Sequence, residues 1–178
     1  MKAITVKQPF AQLICEGIKD IENRTWKTNL RERVLIHTSA KPNTFPLDMV
    51  FTQMQLDEML KHNTMLYWCG HKEFGAKYYD SAIIGSVEIV DCVKNHSSIW
   101  AEKDCYNWVL ANPRLFFEPI RNVKGKLGFW NYPNIVALPD EDSILTCNCQ
   151  LAVKEIYQVR PLGNGSYDCR YCGGKWYK

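Results

Sequence analysis

Four residues in one short polar segment have the types and spacing of a nucleotide-binding site. They are Lys19, Glu22, Arg24 and Trp26. If the segment is extended, Glu22, Arg24 and Trp26 point to the same side, because side chains alternate along a strand. The guanidinium of Arg24 suits a phosphate or a base edge, Trp26 offers a stacking surface, and Glu22 can accept a hydrogen bond from an exocyclic amine. Lys19 has the opposite parity and would join them from the turn after Gly17.

A helix and a strand are expected to hold this segment in place. Pro9 is typical of the first residue of a helix, and Phe10, Leu13 and Ile14 share one helical face before Gly17 ends it. The polar segment that follows is then the second strand of the chain. A plainer interpretation also stays open, in which the carboxylate and the guanidinium neutralise each other on a solvated strand and the tryptophan belongs to the core.

The motif G-x-K-x-x-E-x-R, which runs from Gly17 to Arg24, resembles the signature of the ASCH family, a branch of the PUA-like β-barrel superfamily. Three further segments resemble the next strand, the central strand and the closing segment of that family: 36–41, 85–93 and 108–130. The resemblance covers residues 4–132. It implies an α+β, mainly β fold, namely a small mixed PUA-like barrel with two or three flanking helices. It also implies an association with RNA, and related domains read or hydrolyse modified bases.

The first functional hypothesis is a nucleic-acid-binding module that holds a nucleotide or base, with RNA as the expected partner. A base would stack on Trp26, or on Trp108 or Trp130, while cationic side chains contact phosphates. The residues assigned to this role are Lys19, Arg24, Trp26, Ser39, Lys41, Trp108 and Lys126.

The second hypothesis is a hydrolase. Some relatives look like amidohydrolases of acetylated cytidine that use a Lys, a Thr and a Glu, and the family has also been linked to ribonuclease activity. When these three roles are transferred to the present sequence, the lysine matches Lys19. Glu22 stands at the threonine position, and no glutamate matches the third role. Lys19 with a lowered pKa could still act as a base with Glu22 as its partner, and a simple ion pair between them is the alternative.

Composition and charge are those of an ordinary globular protein. The chain has 178 residues, of which 46% are hydrophobic and 23% charged, and no window approaches the length of a membrane helix. The net charge of +3 is uneven, because residues 1–41 hold eight Lys or Arg against four acids. Basic character therefore coincides with the candidate site. The start of the chain has no apolar run like that of a secretory signal, so a cytoplasmic location is expected.

Periodicity predicts six or so short strands and two helices, a content that favours a small barrel over a βαβ sheet. The predicted strands are 2–8, 18–26, 34–39, 81–93, 106–110 and 115–120, and the predicted helices are 9–17 and 47–62. Residues 63–80, rich in aromatics, are interpreted as an insertion packed on the barrel.

The end of the chain carries two cysteine pairs with the layout of a zinc ribbon. Cys147 and Cys149 are separated by one residue, and Cys169 and Cys172 by two. Four thiolates can bind one structural Zn²⁺ in a segment too small to fold around its own core, although one intervening residue in the first pair is fewer than usual and free thiols are the alternative. The expected domains are therefore an ASCH domain at 1–135 and a zinc-ribbon-like tail at 143–178.

Overall fold

The computed structural model describes residues 1–41, 50–62 and 79–133, without the side chains of 117 and 118, and the backbone of three short strands near the end of the chain. The elements in chain order are β1 (Lys2–Val6), α1 (Phe10–Cys15), β2 (Ile21–Arg24), β3 (Arg33–Thr38), α2 (Gln53–Lys61), β4 (Ile83–Val93), β5 (Tyr106–Ile120), β6 (Phe129–Asn131), β7 (Val159–Pro161), β8 (Ser166–Cys169) and β9 (Lys175–Tyr177).

Six strands form one curled sheet in the order β2-β5-β4-β3-β1-β6. β1 pairs with β3 in parallel, and the other neighbours pair antiparallel. Strands β2 and β6 lie at the two edges of the sheet, yet the rings of Trp26, just after β2, and Phe129 of β6 are 5.3 Å apart. The sheet therefore curls until its edges approach each other, and the expected α+β, mainly β, PUA-like barrel is confirmed.

Strand β5 corrects one prediction, because the two strands expected at 106–110 and 115–120 are a single strand. Pro113 lies inside this strand, although proline cannot donate to a strand ladder. In the structure Ala111 pairs with Glu88 and Arg114 with Ser86, so the two residues between them form an irregularity opposite one residue of β4. A bulge of this kind accommodates the proline and bends the strand, which helps the sheet to curl.

The barrel interior is filled by alternate residues of the strands together with one face of α1. Ile4, Val34 and Ile84 are almost fully buried there and pack with Ile14 of the helix. Helix α1 begins at Phe10, with Pro9 as its N-cap, and Gly17 ends it at a φ of 76°. The amides of the two residues after Gly17 both donate to the carbonyl of Leu13, so the chain turns sharply into β2.

A second cluster packs outside the sheet and includes helix α2. Met59 of α2 is fully buried there, beside Leu13 of α1, Ile21 of β2 and Trp100. Thr52 caps α2 in a capping box with Gln55. In the described part of the chain, no helix is long and apolar enough to cross a membrane.

Strands β7, β8 and β9 form a separate antiparallel sheet. Cys169 is the last residue of β8 and pairs with Val159 of β7. The division of the chain into 1–135 and 143–178 stays a prediction.

Candidate functional site

A cleft of about 720 Å³ lies between the carboxyl end of β1, strand β2 and the loop that precedes β6. This volume is within the range of clefts that take small-molecule or nucleotide-sized ligands. The loop comprises residues 123–128 and is called the K-G-K loop below, after Lys124, Gly125 and Lys126. The cleft therefore opens at the seam where the two edges of the curled sheet meet.

Positive charge predominates on the lining of this cleft. Five cationic side chains, those of Lys7, Lys19, Arg24, Lys124 and Lys126, face two carboxylates, those of Glu22 and Glu102. The cations of the K-G-K loop have no ion-pair partner within the described residues. The cleft thus carries excess positive charge that the fold itself does not neutralise, as an anion-binding surface requires.

Next to β3 and β4, a surface of the barrel carries arginines that are neutralised in ion pairs, and we call it the paired surface. Arg31 lies 2.9 Å from Asp91, and Arg33 lies 2.8 Å from Glu88. Nζ of Lys2 likewise lies 3.1 Å from Oε1 of Glu32, the residue before β3. The cleft differs from this paired surface because its lining concentrates an excess of cations in one concave site.

Lys19 lies at the base of the cleft, held by the turn after Gly17. Its side chain is only 4% exposed, and its Nζ donates to the carbonyl of Ile21 and lies 3.8 Å from Oε2 of Glu22. Burial lowers the pKa of Lys19, and the carboxylates of Glu22 and Glu102 oppose that effect. The predicted position of Lys19 in the turn is therefore found, and burial makes its ammonium unusually acidic for a lysine.

Arg24 spans the seam of the barrel. Its Nη2 donates to the carbonyl of Thr5 in β1, at 2.9 Å, and lies 3.0 Å from Oε1 of Glu22. Its Nε is buried and has no hydrogen-bond partner among the described residues. Arg24 and Glu22 both line the cleft as predicted, together with Asn23, whereas Trp26 does not. The Arg24 side chain is 25% exposed, so part of its charge faces the cleft.

The K-G-K loop is fixed at both ends. Nε2 of His37 lies 2.9 Å from the carbonyl of Val123, and the Thr5 hydroxyl donates to the carbonyl of Lys126 at 3.0 Å. Between them Gly125 lies so close to His37 that a Cβ on Gly125 would stand 2.5 Å from Cε1 of that ring. Burial lowers the pKa of His37, so a neutral ring that donates through Nε2 fits this packing. The loop is therefore positioned in advance of any ligand.

The aromatic residues correct part of the prediction. Trp108 is fully buried, its indole N–H donates to the carbonyl of Trp26, and its ring stacks on Phe129 at 5.1 Å, so it cannot offer a face to a base. Trp130 is 8% exposed and donates to Thr5. Trp26 is 36% exposed and stands edge-on against Trp108, outside the lining of the cleft but beside it. Among the three tryptophans proposed for stacking, Trp26 has the accessible ring.

The remaining predicted residues divide between the cleft and the outside. Ser39 and Lys126 line the cleft, and the Ser39 hydroxyl donates to the carbonyl of Lys41 at 2.6 Å. Lys41 itself is exposed and is not part of the lining. The structure therefore brings together Lys19, Glu22, Arg24, Ser39 and Lys126.

Glu102 also lines the cleft, and sequence reasoning did not identify it. Two asparagines hold its backbone in place. The amide N–H of Glu102 donates to Oδ1 of Asn23, and the side chain of Asn107 donates both to that oxygen and to the Glu102 carbonyl. Asn23 also donates to the carbonyl of Trp100. The two asparagines face each other across β2 and β5. No local pattern indicates this contact, because about 80 residues separate the partners in the chain.

The described residues contain no cluster of three or more His, Cys, Asp or Glu side chains that could hold a metal. Cys147, Cys149 and Cys172 lie outside the described residues, and only the backbone of Cys169 is described. The zinc site therefore stays a prediction.

A mixed barrel that opens at a basic cleft defines a protein of the PUA-like class. The sequence profile of the ASCH domain matches residues 4–121, more than half of the chain, so the protein belongs to the ASCH family. A stretch of 90 residues is 30% identical to human Activating signal cointegrator 1, and this match covers 51% of the chain and 14% of the human protein. Family membership supports a nucleic-acid-binding role.

Proposed function

We propose that the cleft binds RNA and holds one nucleotide of it between strand β2 and the K-G-K loop. The observation that carries this proposal is the excess positive charge of the cleft, where five cations face two carboxylates. Membership of the ASCH family supports the same partner.

Each side of the cleft has a distinct task in this proposal. Lys124 and Lys126 contact phosphates, because their ammonium groups have no acid to neutralise them within the described residues. Arg24, whose side chain is 25% exposed in the cleft, adds a third cation for phosphate. Trp26 at the rim stacks a base, and Glu22 accepts from an exocyclic amine.

The test compares two arginine variants. Arg24→Ala removes a cation of the cleft, whereas Arg31→Ala removes an arginine of the paired surface. Binding of a short single-stranded RNA, measured by fluorescence anisotropy over a series of salt concentrations, should weaken for Arg24→Ala. The salt slope of log K should fall by roughly one, because one fewer phosphate is neutralised. Arg31→Ala should bind like the wild type.

Trp26→Ala separates stacking from charge. It should cost about 1–3 kcal/mol of binding free energy per stacked base with little change in salt slope. Equal losses for Arg24→Ala and Arg31→Ala, in folded proteins, would show that the cleft is not the binding site.

A second proposal, catalysis, rests on the burial of Lys19. A lysine whose pKa is lowered by burial can act as a general base, and Glu102 supplies a second carboxylate in the same cleft. Incubation with acetylcytidine and with labelled RNA tests this proposal. Lys19→Ala would abolish turnover and leave RNA binding largely intact. Absence of turnover by the wild type would remove the hydrolase proposal and leave the binding proposal standing.

A further inference from the structure

Leu127 occupies an unusual position at the mouth of the cleft. It lines the cleft, yet its side chain is 99% exposed. A leucine left fully in water forgoes about 1.5–3 kcal/mol of burial free energy. The folded barrel gains nothing from an apolar side chain here, so Leu127 is available for contact with a ligand in the cleft.

The backbone around Leu127 holds it outward. The carbonyl of the preceding residue, Lys126, accepts from Thr5, which ties the loop to β1. The following residue, Gly128, has a φ of 64°, and a Cβ there would meet no atom within 4 Å. Since its own side chain is 99% exposed, Leu127 projects into solvent from a loop that is tied to β1.

The charge around Leu127 indicates what it contacts. Lys124 and Lys126 lie in the same loop and face the cleft, and neither has an acidic partner in the described part of the chain. An apolar side chain next to unneutralised cations matches a nucleic-acid strand, whose phosphates meet the cations while the neighbouring base offers an apolar face. Proteins use leucine in this way to unstack a base step.

We infer that Leu127 is an apolar wedge that inserts beside the nucleotide held in the cleft and unstacks it from its neighbour in the RNA strand. This inference rests on the proposed RNA binding. Because the loop is fixed before binding, little conformational entropy is lost when the wedge enters the stack. Leu127 therefore favours RNA strands whose bases can be unstacked. Because its side chain is uncharged, it contributes little to the salt dependence of RNA binding.

The test uses single-stranded RNA oligonucleotides that carry 2-aminopurine at successive positions, since the fluorescence of this base rises when it leaves the stack. Binding to the wild type should raise the fluorescence at one position severalfold. Leu127→Ala should remove most of that rise and leave the salt slope unchanged. Since the side chain is fully exposed, the variant has no packing to lose.

Leu60→Ala is the matched control, because Leu60 is also exposed, at 52%, but lies on α2. It should reproduce the wild-type fluorescence. If wild type and Lys124→Ala bind RNA with different salt slopes and Leu127→Ala gives the full fluorescence rise, the wedge is refuted and RNA binding stands. If the wild type binds none of the oligonucleotides, both ideas fail together. A wild type that binds without any fluorescence rise also overturns the wedge.

Discussion

At the scale of single residues, the cleft contains a lysine, Lys19, whose burial disfavours its charged form. Lys19 is buried, and its Nζ is satisfied by the carbonyl of Ile21 and by its proximity to Glu22. Arg24 shares the same carboxylate. One glutamate therefore partly neutralises two cations, and the loop lysines are left for a ligand.

The first prediction concerns Lys19 and pH. Because burial lowers its pKa in the folded protein below the ordinary value of 10.5, the unfolded chain binds more protons between the two pKa values. The free energy of unfolding of the wild type should therefore rise, relative to that of Lys19→Met, as pH increases through this window up to 10.5. Urea denaturation of both proteins over a pH series measures the difference.

Lys61→Met is a control for which the pH dependence of the free energy of unfolding should have the opposite sign. The hydrogen bond with Glu58 raises the pKa of Lys61 above 10.5, so its contribution is present below that value and is lost at higher pH. A wild-type minus Lys19→Met difference that stays constant over the whole series would mean that the lysine is not desolvated in the native protein.

At the scale of elements, the K-G-K loop and strand β2 form the two walls of the cleft, and each is positioned by contacts distant in the chain. The loop packs on His37 of β3 through Gly125, and β2 is joined to β1 by the bond from Arg24 to Thr5. The cleft is therefore a property of the curled sheet and not of one motif.

The second prediction compares two glycines of this loop. A Cβ at Gly125 would stand 2.8 Å from Nδ1 of His37 and 2.9 Å from the Thr5 hydroxyl, whereas the same change at Gly128 meets open space. Gly125→Ala should therefore lower the free energy of unfolding by about 1–3 kcal/mol through overpacking and weaken RNA binding, because both loop lysines are displaced.

Gly128→Ala should cost about 1 kcal/mol through the positive φ alone. Its cleft should remain intact, so RNA binding near the wild-type level is expected. Urea midpoints at unchanged m-values provide the comparison. Gly125→Ala as stable as the wild type would contradict the close packing of the loop on His37.

Local pattern was sufficient for the parts of the site that lie within one element. Strand alternation placed Glu22 and Arg24 on one face, and Gly17 indicated the turn that delivers Lys19. Which residues of β5 face the core could not be predicted in the same way, because this depends on the pairing of β5 with β2 and β4. Trp108 was therefore predicted to offer a stacking surface, although it is buried. Glu102 was missed for the same reason, because its position depends on tertiary contacts.

At the scale of the whole molecule, the ASCH barrel contains the candidate binding cleft and the C-terminal strands belong to the segment with the predicted zinc site. The barrel has its own buried core, and its cleft is built entirely from residues 5–128. The three-stranded sheet of β7, β8 and β9 follows in a part of the chain whose four cysteines still carry the zinc proposal.

The third prediction concerns that metal. If Cys147, Cys149, Cys169 and Cys172 bind one Zn²⁺, the full chain purified without chelator should contain about one zinc per molecule, with Zn–S distances near 2.3 Å by X-ray absorption. Cys169→Ser should lower the zinc content, and Cys105→Ser, in the barrel, should not. Zinc-free protein at every stage of purification would remove the assignment.

The most direct test of the central claim is an NMR titration of the full chain with a short single-stranded RNA. If the cleft is the binding site, the largest amide shift changes should fall on residues 19–24 and 124–128, the two walls that carry its charge. Residues of the paired surface, such as Arg31, Arg33 and Glu88, should change little. Changes concentrated on that paired surface, or none at saturating RNA, would contradict the proposal that this ASCH domain holds RNA in its basic cleft.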